Sequence, residues 1–177
     1  IGMGYVGLPL ALEINKERFC FKKNEKLSRK VIGFDINKKR INELNRFFDR
    51  TNEIPEDDLK KNKDIVYTYF VEDIWDSDFF LVTVPTPIDD NKKPNISAIK
   101  GASKTIGGII KKRKDSNIKK NIPVIVFEST VYPGLTEEIC IPIIEAESNG
   151  KVNEDFLCGY SPERVNPGDK SNVLTKI

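Results

Sequence analysis

Three glycines at the start of the chain constrain its fold more than any other feature. Gly2, Gly4 and Gly7 have the spacing of the dinucleotide-binding motif G-x-G-x-x-G. The first glycine makes a tight turn, the second lets a pyrophosphate approach the backbone, and the third lets a helix pack closely on a strand. The apolar residues 8–14 predict that helix, whose free N–H groups and dipole attract phosphate. Because the spacing alone is a weak signal, the segments that follow it decide whether these glycines form a dinucleotide-binding motif.

The next apolar segment of the chain ends in an acid, which is the second part of the dinucleotide motif. Residues 31–34 predict a strand, and Asp35 follows it. A carboxylate at this position accepts hydrogen bonds from the adenosine ribose and repels a 2′-phosphate, which favours NAD over NADP. The gap from Gly7 is longer than usual, and the polar residues 22–29 predict a surface loop that accounts for it. The alternative interpretation of Asp35 is an acid at the start of the next helix.

Strand and helix patterns alternate along the rest of the chain, as in a parallel sheet built from βαβ units. The segment 78–85 is nearly all apolar and predicts a strand buried on both faces. We therefore predict an α/β fold, a Rossmann-type doubly wound parallel sheet, with residues 1–177 forming one NAD-binding domain. The further strands are expected at residues 65–69, 123–130 and 155–160, and the helices at 38–48, 55–61, 96–112 and 135–148.

Polar, proline-containing loops follow three of the predicted strands. They begin near Val84, Ser129 and Ser161, and Pro85 and Pro87 stop the first strand. Ligands of open parallel sheets bind outside the carboxyl ends of the strands, so we expect these loops to meet at one edge that faces the glycine turn. A plain proline turn at residues 84–87 is the alternative.

Composition excludes several classes of function. The net charge is +2 and the chain has no histidine, three cysteines and no C-x-x-C spacing. We therefore expect no metal site, no nucleic-acid partner and no membrane span, and a reducing, cytoplasmic setting. The basic residues 111–114 and 119–120 lack interleaved aromatic residues, so they predict a solvated helix end.

Both ends of the chain fall inside expected structural units. Only Ile1 precedes the glycine turn, where a strand of several residues is expected, and no stop signal precedes Ile177. We therefore expect a piece of a longer protein, truncated at both ends of the Rossmann domain.

Four motifs in order resemble a known family. The chain is similar to the N-terminal domain of the UDP-glucose/GDP-mannose dehydrogenases, and its last motif resembles the bacterial UDP-N-acetylhexosamine 6-dehydrogenases of capsule and O-antigen synthesis. The motifs are Gly-Met-Gly-Tyr-Val-Gly-Leu-Pro at 2–9, Val-Thr-Val-Pro-Thr-Pro at 82–87, Glu-Ser-Thr-Val-Tyr-Pro-Gly at 128–134, and Gly-Tyr-Ser-Pro-Glu-Arg-Val-Asn-Pro-Gly-Asp-Lys at 159–170.

The resemblance implies an NAD-dependent, two-step oxidation of a UDP-sugar at C6. The alcohol becomes an aldehyde held on a cysteine, then a thioester, which water hydrolyses to the uronic acid with two NAD consumed. The family's nucleophilic cysteine and catalytic lysine lie downstream of this chain, and so do its dimerisation and UDP-binding regions. We therefore expect the full-length protein to be a homodimer or higher oligomer, and this chain alone to bind NAD without turnover.

The resemblance also assigns roles to individual residues. Asp35 would bind the ribose, Arg40 would lie near the adenosine, and Glu163 would assist the hydrolytic water. Thr130 would hold that water or the edge of the cofactor, and Arg164 and Asn166 are candidates for sugar contact. Gly2, Met3, Gly4, Tyr5, Val6 and Gly7 would bind the pyrophosphate, and Val84, Pro85, Thr86, Ser129 and Thr130 would line the cofactor.

Departures from the family pattern leave alternatives open. UDP-glucose members usually carry a second glutamate where this chain has Pro167, which argues against UDP-glucose as the substrate. Cys20, Cys140 and Cys158 match no catalytic motif and are read as packing residues. Glu163 could instead be a loop acid in a salt bridge. Two rival functions are a β-hydroxyacid or 6-phosphogluconate-type dehydrogenase and a non-catalytic nucleotide-binding module.

Overall fold

The computed structural model describes residues 1–16, 18–20, 22–27, 29–88, 93–116 and 121–162. These residues form two compact units, one of residues 1–2 and 71–162 and the other of residues 3–70. Within the described part of the chain, no helix has both the length and the apolar character needed to cross a bilayer.

The elements alternate along the chain much as the sequence predicts. The α-helices are α1 (Gly7–Asn15), α2 (Lys38–Leu44), α3 (Glu56–Lys61), α4 (Ser97–Asp115) and α5 (Ile141–Ser148). The strands are β1 (Arg18–Cys20), β2 (Glu25–Leu27), β3 (Ile32–Phe34), β4 (Val66–Thr68), β5 (Phe79–Val82), β6 (Val124–Phe127) and β7 (Leu157–Tyr160). A 3₁₀ turn at Val71–Ile74 and a π-helical turn at Thr136–Cys140 complete the set.

The first unit is built on the parallel sheet β5-β6-β7. Val82 pairs with Phe127, which in turn pairs with Tyr160, so the three strands end level with one another. Ile1 extends this sheet, because its amino group donates to the Leu81 carbonyl at 2.7 Å and its carbonyl accepts from the Thr83 N–H at 2.9 Å. The predicted parallel strands are therefore confirmed, and their carboxyl ends lie at one edge.

Helices α4 and α5 pack along each other, and the Arg113 guanidinium of α4 lies 5.8 Å from the centre of the Phe80 ring of β5. Phe80 and its neighbour across the ladder, Ile125, are buried on one face of the sheet. The close approach of the two helices requires Gly107, because a Cβ there would lie 2.6 Å from the Glu147 Cβ. Burial of the opposite face increases along the strand, since Phe79 is 67% exposed, Leu81 is half-buried and Thr83 is buried. The prediction that the segment 78–85 is buried on both faces is therefore wrong at its start, at Phe79.

The second unit pairs β3 with β4 in parallel, with Gly33 opposite Tyr67. Helices α1 and α2 each place their apolar residues on its core, as the predicted helical spacing requires. Burial of these side chains supplies most of the free energy that holds the unit together. The core consists of Met3, Leu8, Leu12, Ile41, Leu44, Leu59, Ile65 and Tyr67.

Two local predictions in the second unit need correction. The polar segment 22–29, predicted as a surface loop, includes β2, which pairs antiparallel with β1 as a hairpin. Its side chains give no apolar alternation, so the strand pattern is absent from the sequence. The helix predicted over residues 38–48 ends at Leu44, and Phe47 adopts a φ of +59° just beyond it. The Phe48 N–H then bonds back to the Glu43 carbonyl at 3.0 Å, which closes the helix end.

The helix predicted over residues 135–148 is present in two parts. A π-helical turn at Thr136–Cys140 leads into α5, whose second residue is Pro142. The Ile141 N–H bonds to the Thr136 carbonyl, five residues back, instead of four. Because Pro142 has no N–H and its ring crowds the preceding turn, the wider turn fits ahead of it. The helix ends at Asn149 in the left-handed conformation.

Candidate functional site

Gly2 starts the glycine motif against the backbone of β5. Its φ is +94°, and a Cβ on it would lie 3.0 Å from the Thr83 carbonyl oxygen. The Thr83 hydroxyl also reaches the Gly2 carbonyl at 2.8 Å. The first glycine is therefore required both by its conformation and by close packing, as the motif predicts. Sequence reasoning missed Thr83, a buried hydroxyl within an apolar strand.

Side-chain hydroxyls join the loops at the carboxyl edge of the parallel sheet. The Thr86 hydroxyl donates to the Thr130 carbonyl at 2.5 Å, and the Ser129 hydroxyl donates to the Val84 carbonyl at 2.6 Å. The Ser161 N–H continues the β6–β7 ladder by donating to the Phe127 carbonyl. The first two of these loops therefore meet at one edge of the sheet, as predicted, and the third begins there at Ser161; its continuation beyond Pro162 lies outside the described residues.

The same hydrogen bonds show which groups of this edge remain available. The hydroxyls of Thr86 and Ser129 donate to backbone carbonyls of the neighbouring loop, so they hold the two loops together. The Thr130 side chain is exposed, and its hydroxyl makes no hydrogen bond within the described residues. Pro85 is also exposed beside it. Thr130 therefore presents the hydroxyl that a bound molecule could reach.

In the second unit the glycine motif leads into the start of α1. The N–H groups of Gly4, Tyr5 and Val6 donate no hydrogen bond within the described part of the chain, and Val6 receives no side-chain cap. A Cβ on Gly4 would meet no atom within 4 Å, so open space lies beside this backbone. Tyr5 is 52% exposed. Unpaired N–H groups at the positive end of a helix dipole suit an anion.

Met3, between the first two glycines, is held by two side chains, Asp35 directly after β3 and Arg40 of α2. Its N–H donates to the Asp35 Oδ2 at 2.8 Å, and its carbonyl accepts from the Arg40 Nε at 2.7 Å. Its side chain is buried in the core beside Gly33, where a Cβ would lie 2.7 Å from the Met3 sulfur. Met3 therefore anchors the loop, and its own N–H is occupied by Asp35.

Asp35 follows β3, as predicted, and is half-buried. Its second oxygen accepts from the Asn37 N–H at 2.8 Å. Each carboxylate oxygen has a further lone pair, so hydroxyl donors can still bind. As for the alternative, an acid at the start of the next helix, Asp35 lies two residues before Asn37, and Asn37 is the residue that caps α2 by accepting from the Arg40 N–H.

Arg40 lies inside the second unit and forms an ion pair with Asp49. Their Nη1 and Oδ1 atoms are 2.7 Å apart, and the side chains are only 6% and 1% exposed. Burial alone would raise the pKa of the Asp49 carboxyl, but contacts with Thr51, Arg40 and the Ile54 N–H outweigh it, so the pKa lies below its ordinary value. The predicted contact of Arg40 with adenosine stays a prediction; the observed contacts are with Met3 and Asp49.

Asp49 was also missed by sequence reasoning. Its carboxylate accepts from the Thr51 N–H and hydroxyl, and from the N–H groups of Glu53 and Ile54. A local signal exists, because an Asp in a turn typically accepts from the backbone N–H two residues further on, as in an Asx turn. The pairing with Arg40 has no such local signal.

Glu163, Arg164 and Asn166 lie outside the described residues. All three cysteines are free thiols, and burial raises the pKa of Cys140 and raises that of Cys158 to about 12. Such thiols are poor nucleophiles, which agrees with a packing role. Within the described ranges, no cluster of acidic residues and cysteines could hold a metal ion.

The residues present fit a dinucleotide. Open space beside Gly4 would let a pyrophosphate approach the free N–H groups at the start of α1, and Asp35 offers a carboxylate for ribose hydroxyls. Neither feature supplies a cation for a 2′-phosphate. The free N–H groups, the Asp35 carboxylate and the open space beside Gly4 thus fit NAD.

Comparison with known proteins agrees with this fit. Residues 1–176 match the UDP-glucose/GDP-mannose dehydrogenase family, NAD binding domain. Over 177 residues, which is the whole chain and 37% of the relative, the chain is 43% identical to the UDP-N-acetyl-D-glucosamine 6-dehydrogenase of Pseudomonas aeruginosa. The corresponding enzyme of Salmonella typhi and Protein CapL of Staphylococcus aureus are each 45% identical over the same shares.

Solved structures place the fold in the same family. The GDP-mannose dehydrogenase of Pseudomonas aeruginosa matches 94% of the chain with a TM-score of 0.77 and 26% identity, over 36% of that protein. The NDP-N-acetyl-D-galactosaminuronic acid dehydrogenase of Methanosarcina mazei matches 94% with a TM-score of 0.76 and 30% identity, over 34% of that protein. The Rossmann-type α/β fold is thereby confirmed. The chain belongs to the UDP-glucose/GDP-mannose dehydrogenase family, within that family's NAD-binding domain.

Proposed function

We propose that the full-length protein oxidises the C6 alcohol of a UDP-N-acetylhexosamine to the uronic acid, with NAD as the oxidant, for a surface polysaccharide. The observation that carries this proposal is the 45% identity, over the whole chain, to the UDP-N-acetyl-D-glucosamine 6-dehydrogenase of Salmonella typhi. The chain spans 37% of that relative. It would therefore supply the NAD site and one wall of the reaction site, while other parts of the protein would supply the rest.

The residues of this chain would divide the work between binding and chemistry. The free N–H groups of Gly4, Tyr5 and Val6 would hold the pyrophosphate, and Asp35 would hold the adenosine ribose. Gly2, Met3 and Gly7 would shape the loop. When bound, NAD accepts a hydride in each of the two oxidation steps. Val84, Pro85, Thr86 and Ser129 would line the cofactor, and the Thr130 hydroxyl would orient the nicotinamide edge or the hydrolytic water.

Glu163 would act as the general base in the last step. The described chain reaches Pro162 directly after β7, and the Ser161 N–H bonds to the Phe127 carbonyl beside the loop that carries Thr130. Ser161 and Pro162 therefore leave the sheet at the same edge as Thr130. A carboxylate there would take a proton from water as the water attacks the thioester, whose sulfur would leave as the cysteine thiol. Arg164 and Asn166 would contact the sugar.

The identity of the sugar rests on a smaller set of residues. Pro167 stands where UDP-glucose members carry a glutamate, which supports an N-acetylhexosamine over UDP-glucose. UDP-glucose is the runner-up substrate. Membership of the nucleotide-sugar family argues against a β-hydroxyacid dehydrogenase. The open glycine loop and the free Thr130 hydroxyl argue against a degenerate, non-catalytic module.

The setting of the reaction follows from the same features. All three cysteines are free thiols, which suits a reducing, cytoplasmic compartment. The partner would be a UDP-sugar, with no nucleic acid or membrane involved, and the full-length protein would form a homodimer or higher oligomer. Light scattering of the full-length protein would measure that oligomeric state, and a monomer would refute it.

A steady-state assay of NADH formation by the full-length protein tests the proposal. UDP-N-acetylglucosamine, UDP-N-acetylgalactosamine and UDP-glucose would be compared side by side. Oxidation of an alcohol to an acid removes four electrons, so two NADH per N-acetylhexosamine are expected, with little from UDP-glucose. Turnover of UDP-glucose alone would refute the substrate, and one NADH per sugar would refute the two-step reaction. In a Glu163→Gln variant, the rate of thioester hydrolysis should fall by a larger factor than the affinity for NAD.

A further inference from the structure

The peptide group that joins Met3 to Gly4 is oriented by a buried guanidinium. The Arg40 Nε donates to the Met3 carbonyl at 2.7 Å. A trans peptide is planar, and its C=O and N–H point in opposite directions. With the Met3 carbonyl directed at Arg40, the Gly4 N–H is directed away from it. That N–H donates no hydrogen bond within the described part of the chain.

The space beside Gly4 suits the direction of that N–H. A Cβ on Gly4 would meet no atom within 4 Å. The neighbouring N–H groups of Tyr5 and Val6 are also free within the described residues. At Gly4, open space therefore lies beside an N–H donor whose direction is set by the hydrogen bond from Arg40 to Met3. A donor held in place in this way binds an anion without first losing conformational freedom.

The guanidinium that orients this peptide is itself held in place. The Arg40 Nη1 pairs with the Asp49 Oδ1 at 2.7 Å, and both side chains are almost fully buried. Asp49 is fixed in turn by four hydrogen bonds from residues 51–54. Asp49 therefore holds the Nη1 end of the Arg40 guanidinium by charge attraction, while the Nε–H of the same group is directed at the Met3 carbonyl.

We propose that Arg40 and Asp49 are positioning residues for NAD: they orient the Met3–Gly4 peptide so that the Gly4 N–H faces the pyrophosphate. This proposal rests on NAD binding by the chain. The two residues would act on the pyrophosphate through one backbone group, and this role is separate from the predicted contact of Arg40 with adenosine.

An Arg40→Lys variant separates orientation of the loop from stability of the ion pair. In lysine a methylene stands where arginine has Nε, so the donor to Met3 is lost, while the ammonium can still pair with Asp49. Arg50→Lys is the matched control. Arg50 pairs with Glu43 in the same unit, with its Nε and Nη2 at 2.5 and 2.6 Å from the two carboxylate oxygens, and those contacts do not involve Met3.

Calorimetric titration of the chain with NAD, together with urea unfolding, tests the proposal. Losing one oriented donor is expected to raise the NAD Kd of Arg40→Lys by about 3- to 10-fold, with no change in Arg50→Lys. In ¹⁵N-labelled protein, the Gly4 amide signal should shift in Arg40→Lys before NAD is added, and should respond less to NAD. The control variant should leave both readouts as in the wild type.

Three results would overturn the proposal. The first is a folded Arg40→Lys variant whose NAD Kd lies within twofold of the control. The second is a weaker Kd with an unchanged Gly4 amide, which would assign Arg40 a direct contact with the cofactor. The third, no binding of NAD by the wild-type chain, would refute the cofactor itself. Should Arg40→Lys fail to fold, Arg40→Met with Asp49→Asn removes both buried charges, and the same loss of affinity is expected.

Discussion

Gly2 and Thr83 are locked together through backbone and side chain. The Gly2 Cα packs against the Thr83 carbonyl so closely that a Cβ would stand 3.0 Å from its oxygen. The Thr83 hydroxyl meanwhile bonds to the Gly2 carbonyl at 2.8 Å. This contact fastens the start of the glycine motif to β5, whose carboxyl end carries the loop from Val84 to Thr86.

Replacing Gly2 by alanine should therefore destabilise the fold. The φ of +94° is unfavourable for any residue with a Cβ, and the backbone of Thr83 cannot yield as a side-chain end could. We expect the free energy of unfolding to fall by about 2 kcal/mol, measured by urea titration. Gly108→Ala is the control, because Gly108 lies exposed in α4 with nothing near its Cβ, and there alanine should be neutral or stabilising. Equal stabilities of the two variants would contradict this account.

Gly4→Ala should have the opposite effect: the stability of the fold should be kept, and the affinity for NAD should fall. No atom lies within 4 Å of the added Cβ, so stability should be unchanged or rise by up to about 1 kcal/mol. The methyl group would stand where the pyrophosphate must approach, so affinity for NAD should fall by more than about tenfold. Calorimetric titration and urea unfolding of the same sample measure both quantities. An unchanged affinity would show that the pyrophosphate binds elsewhere.

The Arg40–Asp49 pair should give stability a dependence on acid pH. The pKa of Asp49 lies below its ordinary value of 3.8, so its contribution to stability is present above that value and is lost as the pH falls through the lower, folded pKa. Asp49→Asn leaves the buried Arg40 without its partner and should cost about 3 kcal/mol at pH 7. The difference between variant and wild type should shrink below about pH 4. A difference that is constant from pH 7 to pH 3 would contradict a charged Asp49.

The thiols of Cys140 and Cys158 should resist alkylation in the folded protein. Burial raises the pKa of both, that of Cys158 to about 12, so little thiolate exists near neutral pH. Iodoacetamide at pH 8, followed by mass spectrometry of peptides, should label both residues slowly in buffer and rapidly in urea. Fast labelling of either residue in buffer would indicate an activated thiol and reopen the question of a nucleophile within this chain.

The sequence allowed the parallel strands and the loops at their ends to be predicted, for a physical reason. A buried strand is a short apolar run, and Pro85 or Pro133 marks the turn that follows it within a few residues. The glycine motif likewise reports local backbone requirements, and Gly2 meets them with its positive φ and close packing. Features that a few neighbouring residues determine can be read from a sequence.

Features that depend on distant partners could not be read in this way. Arg40 stands in the run Lys-Lys-Arg, and no neighbouring residue indicates that it pairs with Asp49, nine residues away, in the interior of the second unit. The hairpin of β1 and β2 is held by backbone pairing and carries no apolar alternation. The exposure of Phe79 at the start of β5 cannot be read from the sequence, because Phe79 is as apolar as the buried Phe80 beside it.

A calorimetric titration of the wild-type chain with NAD and with NADP tests the central claim most directly. The free N–H groups at the start of α1 and the carboxylate of Asp35 predict that NAD binds, and that the 2′-phosphate of NADP, facing a carboxylate, weakens binding by about tenfold or more. Equal affinity for the two dinucleotides, or no heat of binding with either, would contradict the assignment of this chain as an NAD-binding domain.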